Sequence, residues 1–252
     1  MDQKPLLIVS DIHLGAVPRD TERRFREFLR YAAGRASGLL INGDLFDFWF
    51  EYRSVISREH YRALAAIADV VDAGVPVWFV GGNHDAWGGS FMRDEVGIQV
   101  IDGPVEMELA GRRALVAHGD GVGTGDLGYR ILKRVIRHPV TVGAFRLLHP
   151  DIGAKIAGRV SSTEEKASGM DAAQKRAAHI RRWAEGMLRD RPELELVTAG
   201  HAHVPEVLEV SPGRYYANAG DWVSHFTYLE LAQGGGPPSL RSWSMDGQAI
   251  DL

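Results

Sequence analysis

The chain has 252 residues, 45% of them hydrophobic and 25% charged, and a formal net charge of −4 at pH 7. This size supports one domain with a sizeable core and an elaboration, and a pI of about 6.2 argues against a nucleic-acid-binding protein with a duplex-scale basic surface. The sequence has no cysteine, no secretory leader pattern and no run approaching the ~20 apolar residues of a membrane span, so we expect a cytoplasmic protein without disulfides or thiolate ligands.

Five apolar runs typical of β-strands occur along the chain, and a short polar motif follows each of them. The runs are residues 6–9, 39–41, 77–80, 114–116 and 194–197. The motifs are Ser10-Asp11-Ile12-His13, Asn42-Gly43-Asp44, Gly82-Asn83-His84-Asp85, Ala117-His118-Gly119-Asp120 and Gly200-His201-Ala202-His203. Because loops at strand ends carry a large share of binding groups, these motifs are the candidate functional sites of the chain.

Two amphipathic stretches between the first three runs predict helices. Asp20 or Thr21 can cap a helix that reaches about Ala33, and Ser57 opens a second helix that ends near Gly74. Later strand-like runs lie around residues 207, 215–218, 226–231 and 240–243. The alternation in the first half predicts α/β layering, and the later strands are expected to be antiparallel or mixed.

The segment from Asp126 to Arg191 is mostly helical in pattern and unusually basic. It holds fourteen Lys and Arg against seven Asp and Glu, a balance of +7, which leaves −11 for the rest of the chain. This asymmetry is large for an evenly solvated surface, although an ordinary helical subdomain with a basic face stays an alternative. A basic amphipathic cap would favour anionic lipid, a nucleotide or a membrane surface.

The spacing inside the motifs predicts that several side chains share one pocket. Residues two apart in extended backbone face the same side, so Asp11 pairs with His13, and His201 pairs with His203. Carboxylate, imidazole and amide ligands without sulfur suit Mn²⁺, Fe²⁺ or Zn²⁺. The seven metal-ligand candidates are Asp11, His13, Asp44, Asn83, His118, His201 and His203. Surface or core positions are expected for the remaining histidines outside the motifs, which are His60, His138, His149, His179 and His225.

In their order, residue types and flanking glycines, the five motifs resemble those of the calcineurin-like metallophosphoesterase family across nearly the whole chain. The resemblance implies one domain over residues 1–252, an α/β fold with a four-layer α/β/β/α sandwich of two mixed sheets, and a basic helical lid insertion over residues 126–191. It also implies two divalent metal ions, with manganese favoured. One ion would be held by Asp11, His13, Asp44 and His203, and the other by Asp44, Asn83, His118 and His201, with Asp44 bridging.

The resemblance further implies a metal-dependent hydrolase of phosphate esters or pyrophosphates. Two cations held by two carboxylates leave a formal charge of about +2, which attracts phosphate oxygens. His84 is the candidate for protonating the leaving group or stabilising charge on the phosphate. Asp85 would either orient the His84 ring or cap its turn, and both interpretations stay open.

Within the family, the chain is most similar to the branch that cleaves the pyrophosphate bond of UDP-2,3-diacylglucosamine in lipid A biosynthesis, releasing UMP and 2,3-diacylglucosamine 1-phosphate. The similarity rests on residues 43–49, on residues 118–120 with Asp126, and on residues 218–222. Two features of this chain depart from the pattern of these enzymes. Their best-studied branch has Arg in place of His84, whereas other branches have His. Residues 161–166 lack the pattern of Ser, Asn and Lys that contacts substrate there. The predicted substrate contacts are Asn83, His84, Asp126, Lys166 and His201; of the two in the basic segment, Asp126 matches the branch by position, and Lys166 is chosen for its charge and neighbourhood.

The implied partner is a nucleotide-linked lipid, with peripheral contact between the basic lid and the inner face of the bacterial inner membrane. No nucleic acid and no obligate protein partner is inferred. The aromatic residues Phe46, Phe48, Trp49 and Phe50 are expected in core packing more than in a lipid groove. Trp87 and Trp222 are better placed to touch substrate.

Two other functions stay open at this level. One is a different metallophosphoesterase, acting on nucleotides or other soluble phosphodiesters, in which the basic segment binds a soluble anion. The other is a non-enzymatic scaffold, which is disfavoured because all seven ligand candidates and His84 are present.

Overall fold

A computed structural model describes residues 3–85, 87, 89–123, 135, 138–153, 155 and 170–252. Its helices are α1 (Arg19–Arg35), α2 (Tyr61–Asp72), α3 (Ser90–Asp94), α4 (Pro139–Phe145) and α5 (Met170–Asp190). Its first six strands are β1 (Leu6–Val9), β2 (Gly38–Asn42), β3 (Val77–Val80), β4 (Gln99–Ile101), β5 (Val105–Leu109) and β6 (Arg112–Val116). The later strands are β7 (Leu196–Ala199), β8 (Glu206–Ser211), β9 (Arg214–Asn218), β10 (Thr227–Leu231), β11 (Ser239–Trp243) and β12 (Ala249–Asp251).

The strands form two mixed sheets. The first sheet has the order β12-β11-β10-β1-β2-β3-β4, in which β1 to β4 are parallel and β10 to β12 are antiparallel to their neighbours. The second has the order β5-β6-β7-β9-β8, with β6, β7 and β9 parallel. Helices connect the parallel strands β1 to β4 and β6 to β7, whereas β8 connects β7 to β9. The parallel strands therefore end at one edge in each sheet, where the polar motifs begin.

Alternating burial along the strands defines three apolar layers. One face of the first sheet packs against α1 and α2 through residues such as Val9, Ile41 and Phe28. Its other face packs against the second sheet through a cluster that includes Ile8 and Val116. The far face of the second sheet packs against α5. The result is the expected four-layer α/β/β/α order with two mixed sheets.

The helix boundaries differ from the sequence predictions at the N-terminal ends. The predicted caps Asp20 and Thr21 lie inside the first turn of α1, because the helix begins earlier and Pro18 occupies the cap position. Pro18 makes no side-chain hydrogen bond. The helix predicted to start at Ser57 starts at Tyr61 instead. Pro18 fixes its own backbone near the geometry that precedes a helix, which explains the first difference.

The basic segment is described only in part. The short helix α4 carries exposed apolar side chains, whereas α5 buries Ala177, Ile180, Ala184 and Leu188 against the second sheet. Thus α5 forms the outer layer of the sandwich, and a lid over residues 126–191 stays a prediction. Among the helices that the structure describes, none is long and apolar enough to cross a bilayer.

Candidate metal centre

Each of the five motifs occupies the loop at the carboxyl end of a parallel strand. The loops after β1, β2 and β3 belong to the first sheet, and those after β6 and β7 belong to the second. Backbone hydrogen bonds connect them: the amide of His13 donates to the Asp44 carbonyl at 2.9 Å, and the amide of Gly200 donates to the His118 carbonyl at 2.7 Å. Between the sheets, Nδ1 of His118 lies 2.9 Å from the carbonyl oxygen of Asn42. The loops of both sheets therefore meet at one site, at the edge where α/β folds bind ligands.

The backbone at this site is held in an unusual conformation. Five of the seven ligand candidates have positive φ angles between 50° and 63°, a region that side chains other than glycine rarely adopt. They are Asp11, His13, Asp44, His201 and His203. Such strain persists where the surrounding structure imposes it, and it is common at functional sites. Here it turns successive side chains toward a common centre.

Glycines let the loops approach one another closely. A Cβ built on Gly43 would lie 2.1 Å from Nδ1 of His118, and one on Gly82 would lie 2.1 Å from Oδ1 of Asp44. These separations are far below contact distance, so any larger residue would displace a ligand candidate. The glycines in the motifs are therefore required by the packing of the site.

One group of ligand atoms forms around Asp11, which is fully buried. Nε2 of His203 lies 3.3 Å from Oδ1 of Asp11, and Nε2 of His13 lies 3.3 Å from Nε2 of His203. All three residues offer ligand atoms within 4.8 Å of one another. The amide of His201 donates to both Asp11 oxygens, at 3.1 and 2.9 Å, which orients the carboxylate. Three of the four predicted ligands of the first ion thus converge.

A second group forms around Asp44. Nε2 of His118 lies 3.1 Å from Oδ2 of Asp44 and 3.3 Å from Oδ1 of Asn83, and Asp44, His118 and His201 offer atoms within 4.8 Å of one another. The same Oδ2 atom lies 3.8 Å from Nε2 of His13, which belongs to the first group. Asp44 stands between the two groups, in the position that a bridging carboxylate needs.

His84 lies at the mouth of this site, with its Nδ1 atom 2.9 Å from the carbonyl oxygen of Asp47. A carbonyl oxygen can only accept, so Nδ1 carries a proton. His84, His13 and Asp44 also offer atoms within 4.8 Å of one another. The ring is therefore oriented by Asp47, a residue that the sequence did not single out.

Asp85 is fully buried and holds backbone groups of two loops. Its carboxylate accepts hydrogen bonds from the amides of Gly82 at 2.8 Å, Phe46 at 3.1 Å and Asp44 at 3.2 Å. Of the two roles left open by the sequence, this geometry favours the capping of the turn. Asp85 joins the Asp44 loop to the Asn83 loop and acts on the site through them.

The ionisable groups compensate one another's charge. Burial by itself would raise the pKa of the Asp44 carboxyl, but the neighbouring His118 ring holds that pKa well below its ordinary value. Burial likewise opposes charge on His118, yet Asp44 raises the His118 pKa well above the ordinary value. Burial, together with the nearby charge of His118, lowers the pKa of His201 to about 4. Burial and then the Asp44 charge raise the pKa of Asp85 to about 6.

The donor set fits divalent cations. Two buried carboxylates, one amide oxygen and four imidazoles face one another with ligand atoms a few ångströms apart. So many imidazoles gathered on two carboxylates are typical of a site that holds borderline metal ions. Bound cations would supply the positive charge that the buried carboxylates need.

A cleft of about 270 Å³ opens over the ligand groups. It is lined by His13, Asp44, Asp47, Asn83, His84, Ala173, Arg176, His201, His203 and Val223. Three of the predicted substrate contacts, Asn83, His84 and His201, therefore face it. The other two, Asp126 and Lys166, lie outside the described residues. Arg176 was not singled out from the sequence, since nothing local distinguishes it from the other basic residues of its segment.

The aromatic predictions were partly wrong. Trp222 has no exposed surface and packs against Phe25 and Phe28, with ring centroids 5.1 Å apart in both cases, so it is a core residue and not a substrate contact. Phe46 and Trp49 are buried in the core as expected. Trp87 packs in an aromatic cluster with Phe48, Phe50 and Phe145.

The histidines set aside by the sequence analysis take structural positions. His60 is buried next to Phe46, with ring centroids 4.5 Å apart, and His179 lies 2.8 Å from the Val122 carbonyl oxygen. His225 pairs with the buried carboxylate of Asp221 at 2.6 Å. None of these appears in the ligand groups found among the described residues.

A comparison with known proteins gives the same picture as the geometry. A family model described as calcineurin-like phosphoesterase matches residues 4–205. A protein of Porphyromonas gingivalis named UDP-2,3-diacylglucosamine hydrolase is 28% identical over 241 residues, which cover 88% of this chain and 92% of that protein. A protein of the same name from Escherichia coli is 29% identical over 204 residues, or 81% and 84% of the two chains.

Among solved structures, the chain is similar to one described as GAP50, the anchor in the inner membrane complex of Plasmodium. The TM-score is 0.52 at 13% identity, and the alignment covers 99% of this chain and 89% of that one. At this identity the likeness concerns the fold alone.

Proposed function

The chain belongs to the calcineurin-like phosphoesterase family, and from that premise we propose that it hydrolyses the pyrophosphate bond of UDP-2,3-diacylglucosamine. It is a metal-dependent hydrolase, which agrees with the names of its relatives and with the ligand groups around Asp11 and Asp44. The finer assignment is supported by similarity to hydrolases of that name over most of both chains. The products would be UMP and 2,3-diacylglucosamine 1-phosphate.

The chain's own residues divide the work of such a reaction. Asp11, His13, Asp44 and His203 would hold one ion, and Asp44, Asn83, His118 and His201 the other. Bound ions would polarise phosphoryl oxygens and lower the pKa of water. His84, with Nδ1–H fixed on the Asp47 carbonyl, would act as an imidazolium protonated on both nitrogens. Its Nε2–H would stabilise the charge of the leaving oxygen or pass it that proton, which leaves the ring neutral. Asp85 positions the two loops that carry Asp44 and Asn83.

We propose manganese as the preferred metal. The ligand set combines carboxylate, imidazole and amide oxygen without sulfur, and affinity order alone does not distinguish Mn²⁺ from Fe²⁺ or Zn²⁺. The family's precedent favours manganese.

The substrate assignment predicts that wild-type protein with Mn²⁺ releases UMP from detergent-dispersed UDP-2,3-diacylglucosamine faster than it hydrolyses any soluble nucleotide or cyclic nucleotide in a matched panel. The measurement is kcat/KM for each substrate by chromatography of the nucleotide products. If a soluble phosphodiester is preferred instead, the lipid assignment fails while the hydrolase assignment stands. Failure to hydrolyse any phosphoester would support the scaffold alternative.

We also propose peripheral contact with anionic membrane through the basic segment. Its described part exposes large apolar side chains, since Leu147 is 88% exposed and Val140 is 72% exposed. The basic residues Arg146 and Lys155 are exposed in the same stretch of chain. Apolar side chains that insert among head groups, together with cations, are typical of membrane-surface segments. Such contact would place the protein at the cytoplasmic face of the inner membrane, where a nucleotide-linked lipid is presented.

The membrane proposal predicts binding to anionic liposomes at low salt that weakens as salt is added. Leu147→Ser should weaken it by roughly tenfold, since it removes one apolar side chain that would insert among the lipid head groups. Met245→Ser is the matched control, because Met245 is 73% exposed but lies outside the basic segment. Co-sedimentation measures both. Equal effects of the two variants, or no binding by wild type, would refute the proposal.

A further inference from the structure

Helix α5 packs directly against the loop that carries the metal-ligand candidate His118. His179 on α5 has its Nε2 atom 2.8 Å from the carbonyl oxygen of Val122, in the loop that follows β6. A Cβ on Gly119 would lie 2.9 Å from Cδ1 of Ile180, so helix and loop are in close contact next to His118. Four buried side chains hold the rest of the helix on the second sheet. The position of α5 beside the cleft is therefore set by core packing.

Arg176 lies on the part of α5 that borders the cleft. It lines the cleft together with Ala173, three residues earlier, and with His84 and His203. Residues three apart share one face of a helix, which places both side chains on the cleft wall. Among the lining residues that the structure describes, Arg176 carries the one guanidinium. Its planar set of donors matches the geometry of phosphate oxygens.

We propose that Arg176 binds the second phosphate of a pyrophosphate diester, the one that is not attacked, and thereby selects pyrophosphates over simple phosphodiesters. The inference rests on the proposed function for its substrate class. Members of both ligand groups, among them His13, Asp44 and His201, line the same cleft as Arg176, and the attacked phosphorus belongs beside them. A pyrophosphate diester carries one further negative charge on its other phosphorus, whereas a simple phosphodiester does not. A cationic side chain beside these ligands therefore favours a pyrophosphate diester over a simple phosphodiester.

The test compares two inhibitors of bis(p-nitrophenyl) phosphate hydrolysis at a fixed Mn²⁺ concentration: methylenediphosphonate, which presents two linked phosphonates, and methylphosphonate, which presents one. The readout is the ratio of their inhibition constants. Wild type should prefer methylenediphosphonate, and Arg176→Ala should reduce that preference about 10- to 100-fold, the size of a lost charged hydrogen bond. Arg176→Lys should retain part of that preference, because lysine keeps the positive charge but lacks the planar set of donors of the guanidinium.

Lys175→Ala is the matched control, since Lys175 is the exposed neighbour on the same helix and does not line the cleft. It should keep the wild-type ratio. Equal weakening of both inhibitors in Arg176→Ala, or the same change of ratio in Lys175→Ala, would overturn the inference. Because the assay needs only a generic phosphodiester, failure of wild type to cleave UDP-2,3-diacylglucosamine would refute the proposed function without deciding this result.

Discussion

Asp44→Asn is expected to reduce turnover by more than about 10³-fold, because removing one preorganised electrostatic contact already costs 10²- to 10³-fold and Asp44 contacts both ligand groups. The substitution keeps the shape of the side chain and removes its charge. One of the two ions would then lose its bridging ligand and the other would be held less tightly. Activity and bound metal, measured by mass spectrometry of the desalted protein, should fall together.

Asp94→Asn serves as the control for Asp44→Asn, because Asp94 is 58% exposed and belongs to α3, outside both ligand groups. It should bind metal and turn over substrate like wild type. Thermal unfolding of both variants checks that the fold is intact. If Asp44→Asn keeps full metal content and activity, the bridging role is wrong.

His84→Ala is expected to lower kcat by about 10²- to 10⁴-fold, the usual contribution of a positioned acid or base. The His84 ring contacts the Asp47 carbonyl and is not one of the seven predicted ligands, although it offers a ligand atom within 4.8 Å of those of His13 and Asp44. Metal content should therefore stay at the wild-type value while kcat falls. This separation distinguishes loss of a proton-transfer group from loss of a metal ligand.

His149→Ala is the matched control for His84→Ala, because the His149 side chain is 68% exposed on the basic segment. It should retain wild-type kcat. A second readout is the leaving group: a substrate with a more acidic leaving group needs less protonation, so His84→Ala should lose less activity on it. A loss that does not depend on the leaving group, or a parallel loss of metal, would count against the proposed role.

The ligand candidates could be predicted from the sequence because their signal is local. Each follows a short apolar run, and the loops after parallel strands must meet at one edge of a sheet. Asp11 and His203 are 192 positions apart in the numbering, yet each can be recognised from a motif of four residues. What the pattern did not contain is the left-handed backbone at five of the seven positions. That conformation is imposed by the contacts of the loops with one another.

The residues that were missed depend on tertiary contacts. Asp47 orients His84 through its backbone carbonyl, and its carboxylate lies 3.6 Å from the same Nδ1 atom, contacts that only the folded chain creates. Arg176 reaches the cleft only because α5 packs on the second sheet and carries it there. Trp222 was placed near substrate because it is close in sequence to the last ligands, but its side chain turns inward to Phe25 and Phe28.

The short edge strands β5 and β12 were not predicted from the sequence. Half-buried and exposed positions alternate along β5 before the buried Leu109. Because Glu106 and Glu108 lie within the strand, it lacks the apolar run that marks a buried strand. β12 is exposed along its whole length. Both strands are held by pairing with a neighbour rather than by burial. The central strands, which are almost wholly buried, were predicted within about two residues of their ends.

The most direct test of the metal centre is an anomalous difference map from crystals grown with Mn²⁺, recorded on both sides of the manganese edge. We expect two peaks about 3.5–4 Å apart on either side of the Asp44 carboxylate. One should be bounded by Asp11, His13 and His203, and the other by Asn83, His118 and His201. A single peak, or peaks away from Asp44, would contradict the two-ion site.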